Sequence, residues 1–158
     1  MLSMFLTVKD FVYQLKPSGA EAYLLSAGAG IGAAITFGLG GIDQMVYALL
    51  ALASIDYIMG TVAAYKTHSW DSSVGFKGLL KKAIMFAVVA LCHLVDACIS
   101  TELLRQMAIG AYALNEAGSI LENVDRAGWG QYIPEFLRRA LARLNEEMDE
   151  KLEEGDRE

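Results

Sequence analysis

The chain has 158 residues, about the length of one ordinary domain. Apolar residues make up 54% of it and charged residues only 20%, a balance that excludes a disordered chain. Its two cysteines are too few for a disulfide scaffold. The formal net charge of -6 arises entirely within residues 146–158, and the balanced remainder shows no basic excess that would predict nucleic-acid binding.

Residues 1–16 place apolar side chains at steps of three and four, the spacing of one helical face. The sequence Pro17-Ser18-Gly19 ends this pattern. A secretory signal has a basic start and an uninterrupted apolar run, and this segment has neither. We expect an amphipathic helix in the membrane interface, with a surface helix docked on a soluble fold as the alternative.

Four apolar stretches follow, at residues 22–42, 44–65, 83–101 and 105–124. The first contains no charged residue, and about 20 apolar residues are enough to span a bilayer core. The fourth stretch is the least hydrophobic. We therefore predict an all-α integral membrane protein with a helical domain over residues 20–125. About four transmembrane helices are expected, with three as the alternative.

Lysine and arginine residues predict the orientation of these helices, because they favour the cytoplasmic side. They occur before the first stretch, between the second and third, and after the fourth, whereas the short connections near 40–44 and 101–105 contain only Arg105. Four spans would place all three basic segments, and therefore both termini, in the cytoplasm. The predicted cytoplasmic basic loop contains Lys66, Lys77, Lys81 and Lys82.

Residues 133–158 are predicted to form a C-terminal amphipathic helix with an acidic tail on the cytoplasmic side. Pro134 suits the first turn of a helix, and apolar residues follow at near-heptad steps. Two interpretations of this helix stay open. It could be a solvated helix that ends the protein, or a short oligomerising or membrane-surface helix.

Small residues recur every four positions in the first stretch and again in the second. This spacing lets helix backbones approach closely in lipid, either within one protomer or between subunits. Residues 28–33 also match a dinucleotide-binding fingerprint formally, but that motif needs a preceding strand, which is absent from this apolar context. The predicted packing or oligomer face comprises Ser26, Gly28, Gly30, Gly32, Ala34, Gly38, Gly60 and Ala64.

Ionisable side chains inside the apolar stretches are costly, since a charged Asp at a helix centre costs roughly 2.5–3.5 kcal/mol. Counting about 1.5 Å per residue places Asp56, His93 and Glu116 within about one turn of the midplane and predicts His93 as the partner of Asp56. These groups either hold the helices together or form a hydrophilic lumen or proton-sensitive cluster. The predicted intramembrane polar set is Asp56, His93, Asp96, Asn115, Glu116 and Ser119.

The sequence offers no arrangement of residues that predicts catalysis. Its two histidines do not assemble with a nucleophile and an oxyanion site, and the neighbouring Cys92 and His93 lack further zinc ligands. We therefore expect a protein that is not an enzyme and that uses no metal or cofactor.

Five short segments carry a resemblance to a known family over about residues 45–145. With these segments in this order, the sequence resembles the toxin-secretion/phage-lysis holin family of small bacterial and phage membrane proteins, usually described with about three spans. The segments are Ile55–Gly60 (IDYIMG), Gly75–Lys82 (GFKGLLKK), His93–Asp96 (HLVD), Asn115–Asn123 (NEAGSILEN) and Ile133–Leu141 (IPEFLRRAL).

The resemblance implies a multi-pass protein of the bacterial (host) cytoplasmic membrane that oligomerises abruptly into lesions. Such lesions release a cell-wall hydrolase during phage lysis, or a large toxin, and both cargoes stay open here. The implied partners are further copies of the chain and the lipid bilayer, with an endolysin or toxin as functional cargo and no nucleic acid. Trp70, Trp129 and Tyr132 suit interface anchors. The alternatives are a non-pore membrane regulator, such as a holin antagonist, and a small proton-coupled channel or transporter.

Overall fold

The structure of the protein is a computed structural model that describes residues 18–155. The interfacial helix predicted at residues 1–16 lies outside this range. Within the described residues the chain forms helices and no strands, so the predicted all-α fold is confirmed. The helices are α1 (Gly19–Gly38), α2 (Gln44–Lys66), α3 (Ser72–Ile99), α4 (Leu103–Arg126), a short 3-10 helix (Gly130–Tyr132) and α5 (Glu135–Gly155).

Three of the described helices, α1, α2 and α3, are long and apolar enough to cross a membrane. With α4, which has 24 residues but a more polar composition, the structure contains the four long helices that the sequence predicts. Because α4 does not reach the apolarity of the other three, the structure supports three spans on composition. A fourth span stays a prediction.

Helix α3 begins earlier than the apolar stretch that predicted it. The side chain of Asp71 accepts a hydrogen bond from the backbone N–H of Ser73 at 2.9 Å and caps the helix. The loop before α3 is therefore short, and the prediction that the four lysines lie in a loop is wrong: Lys66 is the last residue of α2, and Lys77, Lys81 and Lys82 lie in α3. Lysine is a good helix former, so hydropathy marks where the apolar part of α3 starts and not where the helix starts.

The chain divides into two units, of which the first ends at Phe37 and contains nearly all of α1. Considered by itself, α1 has no buried residue. In the second unit α4 is the central helix, because α2 and α3 both pack mainly against it and α5 returns along it. The apolar core of this unit consists of Leu39, Val46, Leu49, Ala53, Met85, Val89 and Ile109.

Candidate functional site

A cluster of charged side chains joins α2, α3 and α4. The ammonium group of Lys82 lies 2.7 Å from a carboxylate oxygen of Asp56 and also donates to the carboxylate of Glu116. The side-chain amide of Asn123 donates to the other oxygen of Asp56 at 2.9 Å. We call Asp56, Lys82, Glu116 and Asn123 the charge cluster. It fixes three helices to one another through side chains alone.

The three ionisable residues of the charge cluster meet because each occupies the same position along its helix. Asp56 and Glu116 each lie ten residues before the end of α2 and α4, and Lys82 lies ten residues after the start of α3. At 1.5 Å per residue each is about 15 Å from the end that the three helices share. The sequence places Asp56 and Glu116 at one level, as predicted, and the start of α3 brings Lys82 to that level.

His93 is not the partner of Asp56, and this prediction is corrected. The ring of His93 lies against Gly40, where a Cβ atom would come within 2.5 Å of its Nδ1 atom. The error came from counting depth along α3 from residue 83, whereas the helix begins at Ser72. Eleven residues of helix shift the level by about 16 Å, which moves His93 away from Asp56 and brings Lys82 to it.

Burial makes the charge cluster energetically important. The side chains of Lys82, Asp56 and Glu116 are only 14%, 13% and 8% exposed. A buried charge is tolerated when it is paired and hydrogen-bonded, and removing its partner strongly destabilises a protein. One ammonium group facing two carboxylates leaves the cluster with a formal net charge of -1. This excess negative charge costs less in contact with water than in an apolar environment.

A groove with a volume of about 730 Å³ lies between α2, α3 and α4, and the charge cluster forms part of its lining. Two predicted polar residues of α4, Asn115 and Ser119, line it beside Glu116. The groove therefore brings together Asp56, Asn115, Glu116 and Ser119 from the predicted polar set. It also carries basic and aromatic residues at its sides, namely Lys77, Lys81, Arg126, Tyr57 and Trp70.

Asp96, also predicted in the polar set, lies at the opposite end of the bundle, where it caps α4. Its carboxylate accepts hydrogen bonds from the Thr101 hydroxyl at 2.6 Å and from the backbone N–H groups of Leu104 at 3.2 Å and Arg105 at 2.8 Å. Glu102 stands at the N-cap position of α4, but its own side chain forms no capping bond. Asp96 is 1% exposed and takes over this role from α3.

Arg105 extends this arrangement to the turn before α2. Its Nε donates to the carbonyl oxygen of Leu39 at 2.7 Å, and its Nη1 lies 2.8 Å from the carboxylate of Asp43. Asp43 also caps α2 by accepting from the N–H of Val46 at 2.9 Å. The hydrogen bond from Arg105, followed by that from Val46, lowers the pKa of Asp43 below its ordinary value. We call Leu39, Asp43, Asp96, Thr101 and Arg105 the end clamp.

Sequence reasoning noted Arg105 only as the single base in the short connections and did not identify the end clamp. A usable signal was present. Asp43 and Asp96 flank two short connections that four antiparallel helices would bring to the same end. One arginine at that end can join the two connections, because its fork of donors can bind several acceptors at once.

The small residues fall into two groups. In the second unit, Gly60 and Ala64 pack inside the protomer: a Cβ atom on Gly60 would lie 3.4 Å from the amide nitrogen of Asn123, and Ala64 is buried. Gly38 is close to Ala90, with 3.8 Å between a Cβ built on Gly38 and that of Ala90. The others are exposed on α1, namely Ser26, Gly28, Gly30, Gly32 and Ala34.

No group of three or more His, Cys, Asp or Glu residues within the described range is placed to hold a metal ion. Two carboxylates meet in the charge cluster, but Lys82 lies between them and satisfies both. The chemistry available there is ion pairing and hydrogen bonding.

The model of the bacteriophage holin family matches residues 33–146, which include α2, α3, α4 and the whole charge cluster. The chain belongs to the bacteriophage holin family. The resemblance drawn from the five short segments is thereby confirmed. This holin-family protein is also a membrane protein on the evidence of its three apolar helices.

Similar proteins are known from several bacteria. An uncharacterised protein of Halalkalibacterium halodurans is 37% identical over 130 residues, which cover 78% of this chain and 95% of that protein. An uncharacterised protein of Clostridium perfringens is 32% identical over 117 residues, covering 73% of this chain and 85% of its own length. One from Bacillus subtilis is 28% identical over 116 residues, covering 73% and 85%. No solved structure matches the chain.

Proposed function

We propose that this protein is a holin that accumulates in the cytoplasmic membrane, oligomerises and forms lesions that release a cell-wall hydrolase or a large toxin. The family match over residues 33–146 is the observation that carries this proposal. The proposed partners are other copies of the chain and the bilayer, and the cargo need not bind directly. Lesion formation requires no catalytic residue and no cofactor.

The charge cluster supplies a physical reason for a sudden transition. In a protomer surrounded by lipid, Asp56, Lys82 and Glu116 neutralise one another only in part, and desolvation penalises the excess negative charge. Assembly of many protomers around water would lower this cost for all of them at once. Apolar surface is available for the assembly, since large side chains on the candidate spans are exposed, including Leu24, Ile35, Leu50, Ile58, Ile84 and Leu91.

Induced expression in a bacterium tests the proposal. We expect growth to stop abruptly, the membrane potential to collapse and a large cytoplasmic enzyme such as β-galactosidase to leave the cell when a cell-wall hydrolase is co-expressed. Asp56→Asn keeps the size of the side chain and an oxygen that can accept from Asn123 but removes a negative charge. Glu116→Gln keeps the size of the Glu116 side chain and likewise removes its charge. Both variants should insert normally and act late or not at all.

The two alternatives predict different outcomes from the same experiment. A holin antagonist would leave growth unchanged and would delay lysis by a second holin. A proton-coupled channel would change the potential in a pH-dependent way without releasing β-galactosidase. Normal lysis by both neutral variants, at wild-type amounts of inserted protein, would refute the role of the charge cluster in triggering.

We further propose four spans with both termini in the cytoplasm. Single cysteines introduced at position 42 and position 72, after replacement of Cys92 and Cys98, should be labelled from outside and from inside respectively. If α4 does not cross the membrane, a reporter fused to the C-terminus will lie outside the cell, and the three-span alternative will replace this proposal.

The small residues on α1 are proposed to pack between subunits. Gly30→Leu should reduce close helix approach and delay lysis while insertion is retained, because association in lipid depends on backbone contact. Ile31→Leu on the next position is the control, since it adds no bulk to the small-residue face. Unchanged cross-linked oligomers and unchanged lysis timing in Gly30→Leu would rule out this face as an interface.

A further inference from the structure

We propose that the groove between α2, α3 and α4 binds the headgroup of an anionic phospholipid, with Lys77, Lys81 and Arg126 around its phosphate. This inference does not depend on lesion formation. It rests on the charges of the groove, on their depth along the helices and on the shape of its walls.

The charges of the groove are separated into two layers. Inside, Lys82 donates to both Asp56 and Glu116. At the mouth, Lys77 and Lys81 are exposed, and neither forms a salt bridge with any carboxylate among the described residues. Among residues 18–155, the guanidinium of Arg126 donates only to the side-chain carbonyl of Asn123.

The mouth therefore presents three cationic groups, while the two buried carboxylates are occupied by Lys82. A neutral or cationic ligand would gain nothing from this distribution. A phosphate group would be held by charge-assisted hydrogen bonds from lysine and arginine.

The depth of these cations along α3 favours a lipid over a soluble phosphate. Measured from the end of α3 at Ile99, a hydrocarbon core of about 30 Å extends over about 20 residues. This distance ends between Lys77 and Lys81, so both flexible side chains can reach the lipid headgroups, while Lys82 turns inward to Asp56 and Glu116. Basic pockets between transmembrane helices on the cytoplasmic side are sites of this kind for anionic lipids.

The walls of the groove are shaped by two glycines. A Cβ atom on Gly75 would lie 3.2 Å from the ring of Trp70, and one on Gly78 would lie 3.7 Å from the ring of Tyr57. These aromatic rings can therefore pack directly against the backbone of α3. They form an apolar and amphipathic wall beside the cations, as expected at a membrane interface. A volume of about 730 Å³ lies in the ordinary range for small-ligand sites.

Titration of short-chain lipids onto the full-length protein in a neutral detergent tests this proposal. Trp129→Phe makes Trp70 the only tryptophan and retains an aromatic ring under Lys66, so Trp70 fluorescence reports on the groove. We expect dioctanoyl phosphatidylglycerol to bind at least about tenfold more tightly than dioctanoyl phosphatidylcholine, because each lysine near an anionic headgroup contributes roughly fivefold.

The variant Lys77→Gln/Lys81→Gln should lose most of this preference, with Arg126 retaining about fivefold or less. The matched control is Arg139→Gln/Arg143→Gln, which removes the same charge from α5 outside the groove and should keep the preference. Equal binding of the two lipids by the unmutated groove would overturn the proposal, as would an undiminished preference in Lys77→Gln/Lys81→Gln.

Two further probes identify the ligand class. Inorganic phosphate should not change Trp70 fluorescence at concentrations where phosphatidylglycerol saturates it, and saturation by phosphate alone would reassign the groove to soluble anions. A peptide of residues 146–158 should not displace the lipid. Displacement by that peptide at comparable concentration would instead assign the groove to the acidic tail of a second copy.

Discussion

Two parts of the α2–α4 bundle, one midway along it and one at the end where α4 begins, hold a charged group inside an apolar protein in different ways. In the end clamp, Asp96 accepts two of its three hydrogen bonds from backbone N–H groups, and Arg105 donates to a backbone carbonyl. In the charge cluster, every bond joins two side chains. Backbone partners are fixed by the helices themselves, whereas side-chain partners can exchange for water without unfolding a helix. The end clamp thus fastens the fold, and the charge cluster is the part that can change.

Breaking the end clamp should have the largest effect. Asp96→Ala leaves the Thr101 hydroxyl and two backbone N–H groups of α4 without their acceptor, and removes the carboxylate from a fully buried site. We expect a loss of about 3 kcal/mol or more in the free energy of unfolding, and little inserted protein. The measurement is thermal unfolding in detergent beside the amount in the membrane fraction.

Asp71→Ala is the comparison for that result, because Asp71 also caps a helix but is exposed. It should cost only about 1 kcal/mol. Equal losses from Asp71→Ala and Asp96→Ala would show that Asp96 acts as an ordinary cap and that no clamp exists.

Removing only the cation of the charge cluster should lower the free energy of unfolding nearly as much as Asp96→Ala. Removing all three of its charges should have little effect on folding. Lys82→Met leaves two buried carboxylates facing each other without a cation, which we expect to cost about 3 kcal/mol at neutral pH. The triple variant Asp56→Asn/Lys82→Met/Glu116→Gln removes all the charges and should recover most of this stability, as neutral replacements of buried ion pairs do.

The triple variant also separates folding from function. If the charge cluster drives assembly, this variant should accumulate in the membrane and fail to lyse the cell at the normal time. Normal lysis by a well-folded triple variant would reduce the cluster to a packing element. Failure of the triple variant to recover stability would mean that the charges have a structural role that neutral side chains cannot replace.

The sequence predicts the helices of the bundle better than it predicts their ends. The stretches at 44–65 and 105–124 correspond closely to Gln44–Lys66 and Leu103–Arg126. The stretch at 22–42 runs past the end of α1 at Gly38. Gly40 and Gly41 form a turn there, but uncharged glycines do not interrupt an apolar stretch in the sequence. Both have positive φ, at 77° and 98°, which ends the helix but leaves no trace in hydropathy.

The sequence analysis identified the two carboxylates of the charge cluster, Asp56 and Glu116, but did not identify Lys82 as their partner. Asp56 and Glu116 stand out because they interrupt apolar stretches. Lys82 does not, because it precedes the third stretch and resembles a loop residue. Lys82 lies at the same level as Asp56 and Glu116 because α3 begins as early as Ser72. A pairing between helices depends on register, and hydropathy alone does not fix the register of a helix that extends beyond the apolar core.

A smaller effect is expected where the turn before α2 meets His93. Gly40→Ala forces a positive φ on a residue with a side chain and also brings its Cβ to 2.5 Å from the His93 ring, so it should cost about 2 kcal/mol. Gly41→Ala is a matched control, because its φ is equally unfavourable but no described atom lies within 4 Å of the new Cβ. It should cost about 1 kcal/mol.

Removing the His93 ring should remove the clash. The loss of unfolding free energy in Gly40→Ala/His93→Ala, minus the loss in His93→Ala alone, should therefore equal the loss in Gly41→Ala. Thermal unfolding of the four proteins measures these differences. Equal losses in Gly40→Ala and Gly41→Ala would show that the His93 ring moves aside freely and that it does not hold this turn.

The smallest effect concerns the exposed edge of the end clamp and depends on pH. Arg105 and the N–H of Val46 stabilise the charged form of Asp43 in the folded protein, so its pKa is lower there than in the unfolded chain. A group with a lowered pKa contributes stability above its unfolded pKa, and this contribution disappears as the pH falls through the folded pKa. Asp43→Asn should therefore be less stable than the unmutated protein at pH 7 and equally stable in acid.

Because the Asp43 side chain is 45% exposed, solvent screening should limit the difference at pH 7 to about 1 kcal/mol or less. Unfolding in detergent from pH 7 down to pH 3 measures it, and a stability gap that persists at pH 3 would mean that Asp43 acts through packing and not through its charge.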